Sequence, residues 1–168
     1  MALAGAVHLS RILDVIEALV TASGHPEITA VERYGHDLVP GGASPAGIRV
    51  RYETGAEAYL WGAVWPRENA LPTPEQLPPP SRRVDRIAVF TAWLLDTARP
   101  AALRSWQLVA LPDLGPTEER GKAPCGLRLD CADGTSLLLR ATAAGGPEQD
   151  PDVDPYPEWQ VPAALSAS

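Results

Sequence analysis

Lysine is almost missing from this 168-residue chain: of its 14 basic residues, 13 are arginine and the last is Lys122. A phosphate-cradling GxxxxGK[ST] loop is therefore excluded from the glycine-rich stretch YGHDLVPGGASPAG (residues 34–47), and no GxGxxG replaces it. That stretch reads as a connecting loop. Histidine is equally scarce. His8, His25 and His36 form no HExxH pair and accompany no paired-cysteine metal spacing. His8 is expected at a helix start and His25 at a helix end, where a cation suits the dipole. His36–Asp37 is the one pair with the form of a general base.

The two cysteines exclude a disulfide framework. Cys125 and Cys131 flank a strand-like segment, which would hold their sulfurs about 20 Å apart on one face, too far to bridge. They read as structural thiols. No GxSxG elbow and no SxxK motif occurs. Asp14 and Glu17 share a helix face with Arg11, which describes a solvated surface better than paired catalytic carboxylates. No cofactor motif and no metal motif remains, and a non-catalytic role is favoured over an enzyme.

Long apolar runs are also lacking. The N-terminal MALAGAVHLSRILDVIEAL has no basic residue before its apolar part and is interrupted by His8, Ser10, Arg11 and Asp14. It resembles neither a signal peptide nor a membrane span. A cytoplasmic protein with no membrane partner is expected, and the Ala, Gly, Pro and Arg bias suggests a bacterial source. The formal net charge is −7, of which five negative charges fall after residue 143 with no basic residue beside them. The nearly neutral remainder offers nucleic acid no electrostatic footprint. Arg82, Arg83 and Arg86 are its one basic cluster, too small to argue otherwise.

What is present is a repeated phrase. Residues 47–64 (GIRVRYETGAEAYLWGAV) and 126–143 (GLRLDCADGTSLLLRATA) both alternate apolar and polar residues around a turn. They share Gly47/Gly126, Arg49/Arg128, Gly55/Gly134 and Leu60/Leu139. In the first, a three-residue turn at Glu53–Thr54–Gly55 predicts the pairs Val50–Ala58 and Ile48–Leu60 on one face. On the other face it predicts Arg51–Glu57 and Arg49–Tyr59.

Each phrase follows a helix and a strand. Leu9, Ile12, Leu13, Ile16, Leu19 and Val20 mark one helical face over residues 7–22, stopped by Ser23–Gly24–His25–Pro26. Strand-like ITAVERY (28–34) follows. The second helix is predicted from a Ser81 cap to about Ala98, with Val84, Ile87, Ala88, Thr91, Leu94, Leu95 and Ala98 on its apolar face. Strand-like SWQLVAL (105–111) comes next.

The expected fold is α+β: two αβββ units in tandem, suggesting internal duplication, with a mostly antiparallel sheet and both helices on one side. The units are residues 1–65 and 81–143, packed as one domain and joined by a Pro-rich extended connector, 66–80. An acidic, Pro-rich tail, 144–168, is either disordered or docked.

The residue types point to a protein that binds another protein or peptide, as a chaperone, adaptor or assembly factor. Arg49, Arg51, Tyr59, Trp61 and Trp65 would form an aromatic and guanidinium face of the first hairpin. Tyr156 and Trp159 would anchor the tail to a partner or to that face. Phe90 and Trp93 mark the expected contact of a homodimer. If the tail serves recognition alone, removing residues 144–168 leaves the melting temperature within a few degrees. The alternative function is a small-molecule protein or enzyme with a pocket between helices and sheet, lined by Tyr59, Trp61 or Trp106 with His36 or Arg49.

Overall fold

The first helix grows from its sequence as the periodicity requires. In the computed structural model, which describes residues 2–39, 42–64, 67–111, 125–146 and 149–166, α1 spans Ala2–Ala22. It starts earlier than the apolar stripe because the preceding residues are Ala-rich and helix-prone. His8 therefore lies inside the helix rather than at its start, with Nε2 2.6 Å from Asp133 Oδ2. All six predicted face residues are buried. Gly24, at φ +66°, ends the helix in the left-handed region.

The strands are β1 (Ile28–Tyr34), β2 (Gly47–Tyr52), β3 (Glu57–Ala63), the short β4 (Asn69–Ala70), β5 (Leu103–Ala110), β6 (Cys125–Cys131) and β7 (Ser136–Ala144). The second helix, α2 (Arg83–Ala98), follows a single 3-10 turn at Pro80–Arg82. Ser81 does not cap it with its side chain; its backbone N–H instead donates to Pro151 O at 2.9 Å. Among the described residues one antiparallel sheet of seven strands results, in the order β1-β2-β3-β7-β6-β5-β4.

The predicted hairpin register is the observed one: Ile48 faces Leu60, Arg49 Tyr59, Val50 Ala58 and Arg51 Glu57. The second hairpin repeats it, with Leu127 facing Leu139 and Leu129 facing Leu137. Both turns close alike, Tyr52 N–H donating to Ala56 O and Cys131 N–H to Thr135 O. Gly55 and Gly134 supply positive φ at the equivalent turn position.

The shared Gly47 and Gly126 answer another demand. A Cβ on either would overlap the backbone oxygen of Leu60 or Leu139 on the adjacent strand. Gly126→Ala should therefore cost about 1–3 kcal/mol through forced strand separation. Gly145→Ala, with open space around it, should stay within about 0.5 kcal/mol. Urea unfolding of both variants checks this pair.

The two sets of three strands meet at β3 and β7, where Leu60 pairs with Ala141 and Trp61 with Arg140. One face of the joined sheet and both helices form the main core, in which Ile48, Val50, Leu60, Leu127, Leu129 and Leu139 meet Ile12, Ile16, Ile87 and Leu94. Cys125 and Cys131 are buried free thiols, and burial raises both pKa values. On the opposite sheet face Ala63, Val109, Leu111 and Leu138 make a smaller cluster beside Trp61. Among the described residues no helix is long and apolar enough to cross a membrane.

Candidate functional site

Alternation along β2 and β3 turns the polar half of the first hairpin away from the helices. There Arg49 Nη2 lies 2.9 Å from Glu32 Oε2, and Arg51 Nε lies 3.3 Å from Glu32 Oε1 and 3.0 Å from Glu57 Oε2. The Tyr59 hydroxyl donates to Glu57 Oε1 at 2.5 Å. This bond is the largest influence holding the Glu57 carboxyl below its ordinary pKa; desolvation opposes it and both arginines assist. The Tyr34 ring meets Tyr59 edge-on at 5.6 Å, and burial raises the Tyr34 pKa. Trp61 donates its indole N–H to Thr142 Oγ1 at 3.1 Å, and the Arg140 guanidinium lies 5.6 Å from its ring. Arg49, Arg51, Tyr59 and Trp61 thus share one partly exposed face spanning the join of the two halves. Trp65 lies outside the described residues.

A second constellation lies on the first turn of α2. Arg83 and Arg86 are 5% and 1% exposed, a burial guanidinium groups tolerate only when paired. Both reach Glu27 Oε1, Arg83 Nη1 at 3.1 Å and Arg86 Nε at 2.8 Å. The remaining donors meet carboxylates of the C-terminal segment. Arg83 donates to both oxygens of Asp150, at 3.2 and 2.9 Å. Arg86 donates to both oxygens of Asp154, at 3.1 and 3.2 Å, and to Pro78 O at 2.8 Å. Beneath them Arg83 covers the buried Tyr52 ring, 3.8 Å from its centroid.

Beside these charges His25 is enclosed by rings, with Trp159, Phe90 and Tyr156 at centroid distances of 4.6, 5.6 and 5.7 Å. Its Nδ1 accepts the Glu27 backbone N–H at 3.2 Å. Burial disfavours the expected helix-end cation and holds the imidazole pKa below 6.5, with Arg86 assisting and Glu27 and Asp154 opposing. Burial alone would raise the Asp154 carboxyl pKa, but the Arg86 hydrogen bonds and the Tyr156 backbone N–H outweigh it and lower it.

Both depressions make stability rise with pH, in separate windows. The His25 contribution is complete above 6.5 and is lost as pH falls through the lower folded value. The Asp154 contribution persists until pH falls below about 3.8. Urea unfolding of His25→Gln should show a flatter pH dependence between pH 7 and 5 than the parent protein. Equal slopes would mean that His25 does not carry this arm.

Tyr156 and Trp159 are therefore not on the outer hairpin face. Trp159 stacks on Phe90 at 5.4 Å, and the Tyr156 hydroxyl donates to Glu53 at the hairpin turn, 2.7 Å away. Phe90 is 4% exposed beneath Trp159, so a symmetric contact through Phe90 requires the C-terminal segment to leave. Trp93 stays half-buried, its indole N–H donating to Pro74 O at 3.1 Å. With Glu75, Leu77, Tyr156, Trp159 and Val161 it lines a cleft of about 430 Å³ between connector, α2 and tail. This cleft lies against the connector and tail and is not the expected pocket between helices and sheet. His36 takes its partner from Ser44 through its backbone N–H, at 2.9 Å.

Glu27, Arg83, Arg86, Asp150 and Asp154 are the residues sequence reasoning passed over as a set. The available signal was two arginines i,i+3 at the start of a helix, in a chain whose tail repeats Asp-Pro. Among the described residues no group of three or more His, Cys, Asp or Glu could hold a metal ion. Comparison with family models, curated proteins and solved structures finds no match to this chain.

Proposed function

We propose that this protein is a non-catalytic protein-binding protein, a chaperone, adaptor or assembly factor of the bacterial cytoplasm. The outer face of β2 and β3 holds its partner. The observation that carries the reading is that Arg49, Arg51, Tyr59 and Trp61 gather, partly exposed, on the sheet face that neither helix covers. Arginine, tyrosine and tryptophan are the types that dominate binding energy at protein interfaces. The cleft beside Trp93 adds aromatic surface of the same kind, from Trp93, Tyr156 and Trp159. Equivalent registers, turns and glycines in the two αβββ units support descent by internal duplication.

A capture experiment tests this reading. Tagged full-length protein and an Arg51→Ser/Tyr59→Ser variant are exposed to lysate of the source organism, and retained proteins are quantified by mass spectrometry. The expected result is one stoichiometric protein held by the parent and reduced about tenfold or more in the variant. Retention of no protein by either form would overturn the reading.

A further inference from the structure

The two halves of the sheet correspond residue by residue yet differ at their outer edges. Val31 faces Val50 in the first half, as Trp106 faces Leu129 in the second. Both edge strands carry a register shift at the same place, after Ile28 and after Leu103. Both helices leave through a left-handed residue, Gly24 and Arg99. Thr21 on α1 thus corresponds to Asp96 on α2.

In the second half the space between helix and edge strand is occupied. The Trp106 side chain packs against the core there, and its indole N–H donates to Asp96 Oδ1 at 2.6 Å. In the first half Val31 and Thr21 stand at those positions, and a cleft of about 220 Å³ remains, lined by Val20, Thr21, Gly24, Ile28, Ala30 and Val31.

The edges differ in the same sense. The outer edge of β5 is covered by β4, through Asn69–Ala110, Ala70–Val109 and a Leu71 N–H bond to Leu108 O at 2.8 Å. The outer edge of β1 ends the sheet, and among the described residues no strand lies on it. An uncovered edge offers a row of backbone donors and acceptors to another chain. The contact of Tyr34 with Tyr59 makes this edge continuous with the outer aromatic face.

We propose that the β1 edge and its cleft take an extended strand of a partner protein. The strand is added antiparallel to β1, with one large aromatic side chain seated between α1 and β1 where the second half carries Trp106. Backbone pairing supplies affinity and the cleft supplies selection. This deepens the protein-binding reading and rests on it. A second copy of this chain is the poorer occupant. On the helix side its own β1 offers Ile28, Val31 and Arg33, none of them aromatic and Arg33 paired with Asp14, while Tyr34 lies on the other face against Tyr59.

The probe is a fluorescein-labelled heptapeptide of alternating Thr and Val with a central Trp, added to the full-length protein. Binding is read by anisotropy, and its place by hydrogen exchange of the amides of residues 28–34. Binding should protect those amides. Replacing the central Trp by Ala should weaken affinity about 30-fold, and backbone N-methylation of the peptide should abolish binding. Thr21→Asp/Val31→Trp transplants the filled arrangement of the second half. It should keep or raise the melting temperature while losing the peptide, and the N-methylated peptide decides the matter if this variant fails to fold.

Absence of binding at millimolar peptide overturns the proposal, as does binding that leaves the β1 amides unprotected. A homodimer dispersed by Thr21→Asp/Val31→Trp would assign the edge to a second copy and overturn it too. Lysate capture that persists while the edge stays unprotected defeats this proposal and leaves the protein-binding reading standing. Edge protection by the peptide with no protein captured from lysate defeats the protein-binding reading, and the partner-strand proposal that rests on it falls too.

Discussion

Removing residues 147–168 should lower stability by about 4–6 kcal/mol and the melting temperature by about 10–20 °C. The reason is electrostatic before it is hydrophobic. Arg83 and Arg86 are almost fully buried, and the truncation takes away Asp150 and Asp154, which accept four of their hydrogen bonds. A buried cation that loses its counterion keeps its desolvation cost. Trp159 leaves Phe90 and His25 exposed at the same time. Differential scanning calorimetry of the 1–146 chain checks this. A shift within a few degrees, as a tail serving recognition alone would give, would show that the pairing of Asp150 and Asp154 with the two arginines adds nothing to the fold.

The second large effect is expected at Glu27, which accepts from both arginines and is 4% exposed. Glu27→Ala should cost about 3–5 kcal/mol, since two guanidinium groups then share a site without their common carboxylate. Combined with the truncation it should fall short of additivity, because both changes act on one network. Glu27→Leu/Arg86→Met should be less destabilising than the sum of its single substitutions, the pattern seen when a buried pair is removed together. Urea unfolding of the four proteins of that cycle gives the coupling directly. A sum equal to the double substitution would mean that Glu27 and Arg86 act independently.

Local features were legible because their causes are local. The face of α1 follows from the 3.6-residue period, and the six apolar residues that share it are all buried. The register of the first hairpin follows from a three-residue turn with glycine at its left-handed position, and all four expected cross-strand pairs formed. Repetition of that phrase pointed to a second hairpin of the same register, which β6 and β7 supply. The outer face of Arg49, Arg51, Tyr59 and Trp61 is a consequence of strand alternation.

The sequence by itself determined these elements, their faces and the chemistry of the hairpin surface. Only the tertiary structure decided that the strands form one sheet, because the edges β3 and β7 are joined by no short turn. Only it decided where the arginines of α2 find their charge: Asp150 and Asp154 lie 67 and 68 residues away along the chain. No periodicity reports a pairing over that distance. His25, expected as a helix-end cation, is a buried ring for the same reason, since Phe90, Tyr156 and Trp159 converge on it from remote segments. The open edge of β1 became visible only when the two halves stood side by side, one with Trp106 filling the position that Val31 leaves empty.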